Sequence, residues 1–324
     1  MTSVLPGRRD ATWLVALAAA LWGLDGLLRT PLATELAPGT VVLWEHVIAL
    51  AVLLPWVPGA LRAFARCSWR DRAAVVAIGV GASAVATALF TQAFTLAQRS
   101  GDFVTPLVLQ KLQPVVAIAL AVVVLHERLR PRFAIFVLPA LAGAWLMTFA
   151  DPLQLRIAEV QPALLAIGAA VLWGAGTVLG RLVSPSLAPR DLTTLRFGFG
   201  LPGALAVVWV TGAPVAPGWA NVPGLLLLAL IPGLLGLALY YRALRSTPAS
   251  RATLGELAVP ATSALVGVAF LGTTLTGTQW LGLVVVAATV TLLGWHESRR
   301  EPAVAPAPAD PADGALVAVR APGH

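Results

Sequence analysis

The chain has 324 residues, of which 58% are hydrophobic and only 11% charged, and its mean hydropathy is +0.83. A water-soluble domain carries about a quarter charged residues, so this composition excludes an ordinary soluble protein and requires a surface facing lipid. The formal charge of +7 does not signal nucleic acid, because the basic residues, nearly all Arg, stand singly between apolar runs without a basic patch or an RNA-binding aromatic signature.

Crossing the hydrocarbon layer takes about 20 apolar helical residues. Ten stretches qualify, near 11–29, 39–57, 73–97, 103–125, 132–150, 162–181, 191–211, 222–243, 250–271 and 277–296. Arg8 and Arg9 precede the first and Ala18-Ala19-Ala20 resembles a cleavage site. The apolar run nevertheless continues through Trp22 to Leu28, so a retained span is expected rather than a cleaved signal. Past the last stretch, 301–324 is rich in Ala, Pro and Asp and is expected to be disordered. Arginines gather before span one and after spans two, four, six, eight and ten, while the intervening loops carry few. By the positive-inside rule both termini are then expected in the cytoplasm, with the protein multi-pass in the cell membrane. Cys67 is the only cysteine, and the four histidines are dispersed, so neither a disulfide nor a metal site is expected.

The chain repeats itself. Leu21-Trp22-Gly23 recurs as Leu172-Trp173-Gly174, and Ala37-Pro38 as Ala188-Pro189, both at an offset of 151 residues. Leu89-Phe90-Thr91-Gln92-Ala93 matches Leu239-Tyr240-Tyr241-Arg242-Ala243. The segment Leu109 to Val115, with Gln110 and Pro114, matches Gly255 to Ala261, with Glu256 and Pro260. Two units follow, 11–150 and 162–296, of five spans each. An odd span count inverts the second unit, which predicts an all-α integral membrane fold of ten helices in two inverted five-helix repeats.

These motifs, together with Leu195-Arg196-Phe197 and Leu125-His126-Glu127-Arg128-Leu129, resemble the EamA family of the drug/metabolite transporter superfamily over most of the chain. The resemblance implies ten helices, cytoplasmic termini and export of amino acids or other small metabolites. Two positions depart from the family pattern. Glu45, followed by His46, replaces an expected Arg in span two, and Thr273 stands where Glu127 of the first half has its counterpart.

A charge at mid-bilayer costs about 2.5–3.5 kcal/mol or more, so intramembrane polar residues are the candidates for substrate binding or proton coupling. They are Asp25, Glu45, Gln110, Lys111, Gln113, Arg196 and Glu256, with Trp22 and Trp173 either lining a cavity or packing. Pro114 and Pro260 are expected to kink their helices and free the carbonyls of Gln110 and Glu256. Asp25 and Arg29, four residues apart, suit a local ion pair, while Arg29, Arg181 and Arg242 near span ends are expected to snorkel. Glu127 closes span four, where the helix dipole opposes an anion, and Arg128, Arg130 and Arg132 are expected to offset it. The expected function is a secondary transporter of a small-molecule substrate, an exporter working by alternating access. It has no cofactor, and Glu45 and Glu256 are its proton-coupling candidates. An intramembrane enzyme or lipid-handling protein using the same cavity is the alternative, but no catalytic pair, P-loop or metal-ligand spacing supports it.

Overall fold

The computed structural model describes residues 11–100, 109–110, 112–128, 134–148, 160–270, 272 and 274–298. Lys111, Thr273 and the tail 301–324 lie outside them. Among the described residues all regular structure is helical. The helices are α1 (Thr12–Gly23), α2 (Asp25–Glu35), α3 (Pro38–Leu53), α4 (Val57–Arg66), α5 (Trp69–Val76), α6 (Ala86–Ser100), α7 (Gln113–Leu125), α8 (Ala134–Thr148) and α9 (Val160–Val183). They continue as α10 (Pro189–Thr211), α11 (Val222–Leu228), α12 (Leu237–Leu244), α13 (Ala249–Gly255), α14 (Ala258–Phe270) and α15 (Gly277–Ser298). Two π-helical segments, Ala77–Val85 and Ala229–Gly236, join α5 to α6 and α11 to α12.

Among the described residues, seven helical stretches are long and apolar enough to cross a membrane: Thr12–Arg29, Pro38–Arg66, Trp69–Ala93, Val160–Val183, Pro189–Thr211, Trp219–Leu244 and Ala249–Phe270. Three apolar helices are shorter, Gln113–Leu125, Ile135–Met147 and Gly277–Leu293, and each of the ten falls on an expected stretch. The second stretch outruns its expected end at residue 57. A single 3-10 turn at Leu54–Trp56 carries α3 into the amphipathic α4, which extends the helix to Arg66.

Local chemistry sets several helix ends. Pro38 and Pro189 open α3 and α10, where a missing N–H costs nothing. The Ser68 side chain caps α5 by accepting from the Asp71 amide at 3.2 Å. Gly212, at φ +66°, closes α10 in the left-handed conformation that a β-carbon disfavours.

Buried alanines line many of the helix contacts beside larger side chains such as Tyr241, Ile78 and Leu192, and many large apolar residues face outward. Ala18, Ala19, Ala166, Ala169 and Ala170 are fully buried, while Trp209, Phe270, Val123 and Leu138 face outward. Lipid offers apolar side chains no reason to leave it, so helices associate through close backbone approach and hydrogen bonding instead.

The pairs that pack are informative. α1 lies against α14, α12 and the segment Ala229–Gly236, while α9 lies against α7, α6 and the segment Ala77–Val85. α3 packs on α10, and α8 on α15. Replacing each element by its sequence counterpart turns the first set into the second and leaves the last two pairs unchanged. The repeated Trp-Gly motif sits at these contacts. A β-carbon on Gly23 would lie 2.5 Å from the Thr262 Cβ and 2.9 Å from the Val259 carbonyl oxygen of the other half. One on Gly174 would lie 3.1 Å from the Gln113 carbonyl oxygen and 3.2 Å from the Ala117 amide. In both halves the glycine admits the start of the partner half's proline-bearing helix.

Candidate functional site

Glu256 sits at the junction of α13 and α14, where the helix is interrupted at Glu256 and Leu257. Pro260 lies in the first turn of α14, and Pro114 in the first turn of α7, positions where proline is tolerated. The Glu256 carbonyl is not left spare, because it accepts from the Val259 amide at 2.9 Å. The polar feature at this break is the side chain.

Three elements converge on that carboxylate. Tyr240 of α12 donates its hydroxyl proton to Oε1 at 2.6 Å. Thr177 of α9 places its hydroxyl 3.0 Å from Oε1 and 2.9 Å from the Tyr240 phenol oxygen. Gln113, at the start of α7 in the other half, donates from Nε2 to Oε2 at 2.7 Å. Glu256, Tyr240 and Thr177 are all buried. No Lys, Arg or His approaches the carboxylate to salt-bridge distance among the described residues. Above the cluster, the Trp22 indole lies 5.0 Å from the Tyr240 ring and over Gly236, whose hypothetical β-carbon would meet the indole nitrogen at 2.7 Å. Its counterpart Trp173 lies 5.3 Å from Phe90, the residue matching Tyr240. Gln110, the counterpart of Glu256, is half-buried.

A second group is ionic. Arg29 grips Asp25 through two bonds, Nε to Oδ2 at 2.7 Å and Nη2 to Oδ1 at 2.8 Å. The same guanidinium reaches Glu45 on α3, with Nη2 at 2.8 Å from Oε1 and Nη1 at 3.3 Å from Oε2. The local pair expected from spacing is thus half of a triad. Arg29 does not snorkel but holds two carboxylates, leaving the group formally one negative charge in excess.

A third group surrounds Arg196, which stands seven residues after Pro189, as Glu45 stands seven after Pro38. Its Nη1 donates to the Tyr241 hydroxyl oxygen at 2.9 Å, its Nη2 lies 3.5 Å from the Ala82 carbonyl oxygen, and its buried Nε has no partner. Nearby, buried His46 gives its Nδ1 proton to the Val42 carbonyl at 2.8 Å, and its Nε2 lies 3.0 Å from the Ser83 hydroxyl. The His46 ring meets Phe197 edge-on at 5.5 Å between centroids.

The fourth group closes the arginine-rich end. Of the arginines expected to offset Glu127, Arg130 and Arg132 lie outside the described residues, and the partners described are of another kind. The Glu127 carboxylate accepts from the Ala249 amide at 2.8 Å, the Ser250 amide at 3.1 Å and the Ser250 hydroxyl at 2.7 Å, capping α13 of the other half. An anion at a helix N-terminus is stabilised by the dipole, by about 0.3–1 kcal/mol when exposed. Arg181 of α9 donates to the carbonyls of Leu244 and Arg245, covering the end of α12. The Ala11 amide donates to Thr247 in the same turn at 3.2 Å.

Both halves of the chain match one family model, over residues 11–149 and 161–295. The chain belongs to the EamA-like transporter family. It is a multi-pass membrane protein, as its apolar helices and its family require. Among family relatives, the chain is 29% identical over 194 residues to the uncharacterized transporter YwfM of Bacillus subtilis, covering 59% of this chain and 64% of that protein. It is 28% identical over 188 residues to the riboflavin transporter ImpX of Fusobacterium nucleatum, covering 57% of this chain and 62% of that protein. The matches therefore span under two thirds of either relative. A solved crystal structure shares the fold at a TM-score of 0.71 and 21% identity, over 89% of this chain and 99% of that one.

Sequence reading singled out Glu256, Gln113, Asp25, Glu45, Arg196, Trp22 and Trp173. It did not foresee that Tyr240 and Thr177 join Glu256, nor that Arg29 bridges to Glu45. One signal was available for Tyr240. Where the halves align, its hydroxyl is added to a position that is Phe90 in the first half.

Proposed function

We propose that the chain is a secondary transporter that exports small polar or amphipathic metabolites across the cytoplasmic membrane. It alternates access between two inverted five-helix repeats, 11–150 and 162–296, with both termini cytoplasmic. The exchangeable packing pairs and the alternating arginine bias support that arrangement.

The observation that carries the reading is the Glu256 carboxylate, buried in a helix break and held by neutral donors from three other elements. An unneutralised carboxylate in the membrane costs about 2.5–3.5 kcal/mol. A proton, or a cationic group on a bound molecule, removes that cost, so occupancy of this one site couples to the state of the protein. Glu45 is less suited to the task because Arg29 already neutralises it. Gln110, Lys111, Arg196 and the indoles of Trp22 and Trp173 complete the proposed substrate environment.

The test begins with metabolite efflux from cells with and without the protein, which identifies a cargo. Riboflavin, the compound in the Fusobacterium relative's name, belongs in the panel. With that cargo, proteoliposome transport by Glu256→Gln is expected to fall to background, and Glu256→Asp to retain part of it. Full transport by Glu256→Gln removes the coupling role. Turnover of a compound without its movement removes the transporter reading altogether.

A further inference from the structure

A fissure of about 430 Å³ opens between the end of α3, the start of α10 and the face of α12, away from the Glu256 cluster. The volume is within the range of about 300–1,000 Å³ typical of small-molecule sites. Its floor is apolar, made by Leu53, Leu234, Ala238 and Leu239. Its rim carries two arginines, Arg190 and Arg242.

Neither arginine has a close carboxylate partner among the described residues. Arg242 makes no ion pair there, and Arg190 comes only to 3.9 Å from Asp191 with its side chain 63% exposed. The Arg190 guanidinium instead lies 5.9 Å over the Trp56 ring. Trp side chains favour the depth of lipid headgroups, so this pair marks where the mouth of the fissure meets the membrane surface. The N-terminus of α10, opened by Pro189, brings its positive dipole end to the same rim.

We propose that this fissure is a site for one anionic phospholipid. The phosphate sits between Arg190 and Arg242, and an acyl chain lies along Leu53, Leu234 and Ala238. Guanidinium groups bind phosphate oxygens in a fork geometry, and basic clefts between membrane helices select anionic headgroups. A zwitterionic lipid offers the same chain but brings a cationic group toward two arginines. The bound lipid ties the start of α10 to α12, the helix that carries Tyr240 and Tyr241. The inference rests on the chain's residence in a bilayer and not on what it transports.

Native mass spectrometry of the full chain with dioleoylphosphatidylglycerol and dioleoylphosphatidylcholine tests it. The unmodified protein is expected to retain the anionic lipid about tenfold better, and Arg190→Gln/Arg242→Gln to lower that preference to near parity. Arg66→Gln/Arg70→Gln, which removes two arginines outside the fissure, is expected to preserve it. Ala238→Trp, which fills the floor and keeps both arginines, is expected to lose the lipid, and the milder Ala238→Leu to weaken it. Equal retention of the two lipids by the unmodified protein overturns the site. Equal losses in the two arginine pairs reduce it to diffuse surface charge. Unchanged retention in both Ala238 variants removes the acyl seat, and displacement of the lipid by inorganic phosphate makes this a small-anion site instead.

Discussion

The two halves of this chain hold equivalent positions in different chemical states. Around Trp22 the second half supplies Tyr240, whose hydroxyl reaches Glu256, whereas around Trp173 the first half supplies Phe90, which has no hydroxyl to give. At the matched site on the second span of each half, Glu45 is neutralised by Arg29, while Arg196 hydrogen-bonds a phenol and a carbonyl among the described residues. Asp25 and Arg29 themselves correspond to Gly176 and Gly180, which pack closely on Ala82 and Tyr241. A shared backbone arrangement therefore carries an ion cluster in one half and, in the other, a carboxylate and a guanidinium that make no salt bridge among the described residues.

The comparison can be broken at several points. Arg29→Ala leaves Asp25 and Glu45 together without their cation. It is expected to cost about 3 kcal/mol, the low end for breaking a buried pair because the group is partly exposed. Arg196→Ala breaks no salt bridge among the described residues and is expected to cost less, so thermal unfolding in detergent that ranks the two the other way contradicts the asymmetry. The glycine notches come next. Gly23→Ala meets side-chain and backbone atoms below 3 Å and is expected to lose about 1–3 kcal/mol by overpacking. Gly174→Ala, with contacts from 3.1 Å, is expected to lose visibly less on the same melting scale.

Tyr240→Phe writes the first half's residue into the second. It removes one hydrogen bond to a charged group, worth about 1.5–3 kcal/mol, and is expected to lower transport roughly tenfold or more while Phe90→Tyr leaves it near normal. Equal effects of the two substitutions in proteoliposomes are the outcome that defeats the assignment. The smallest expected effect is at Glu127→Ala. Losing a cap at the start of α13 costs about 1 kcal/mol, and amide exchange at Ala249 and Ser250 is expected to quicken before any other helix start responds.

Much of the fold was legible because a membrane reduces the choices. Long apolar runs read as helices, and the doubled Trp-Gly and proline positions mark where each half receives the other. The intramembrane charge of Glu256 was visible for the same reason. Its partners were not, since Tyr240, Thr177 and Gln113 come from elements far apart in the chain. The cap made by Glu127 was hidden for a different reason: two of its partners are backbone amides, which a sequence does not display. Arg29 looked like a span-end residue because its distance from Glu45 depends on how α1 gives way to α2 at Leu24, and the glycines on either side of that break, Gly23 and Gly26, do not by themselves say where the next helix points.

One further meaning attaches to the notches at Gly23 and Gly174 and to the Glu127 cap. In each case one half completes the other: α1 closes on α14, α9 on α7, and α13 borrows its capping group across the boundary between halves. Neither half owns a finished interior. Either half taken alone would leave these notches and this cap open, so the five-helix unit is a component that only its companion makes whole.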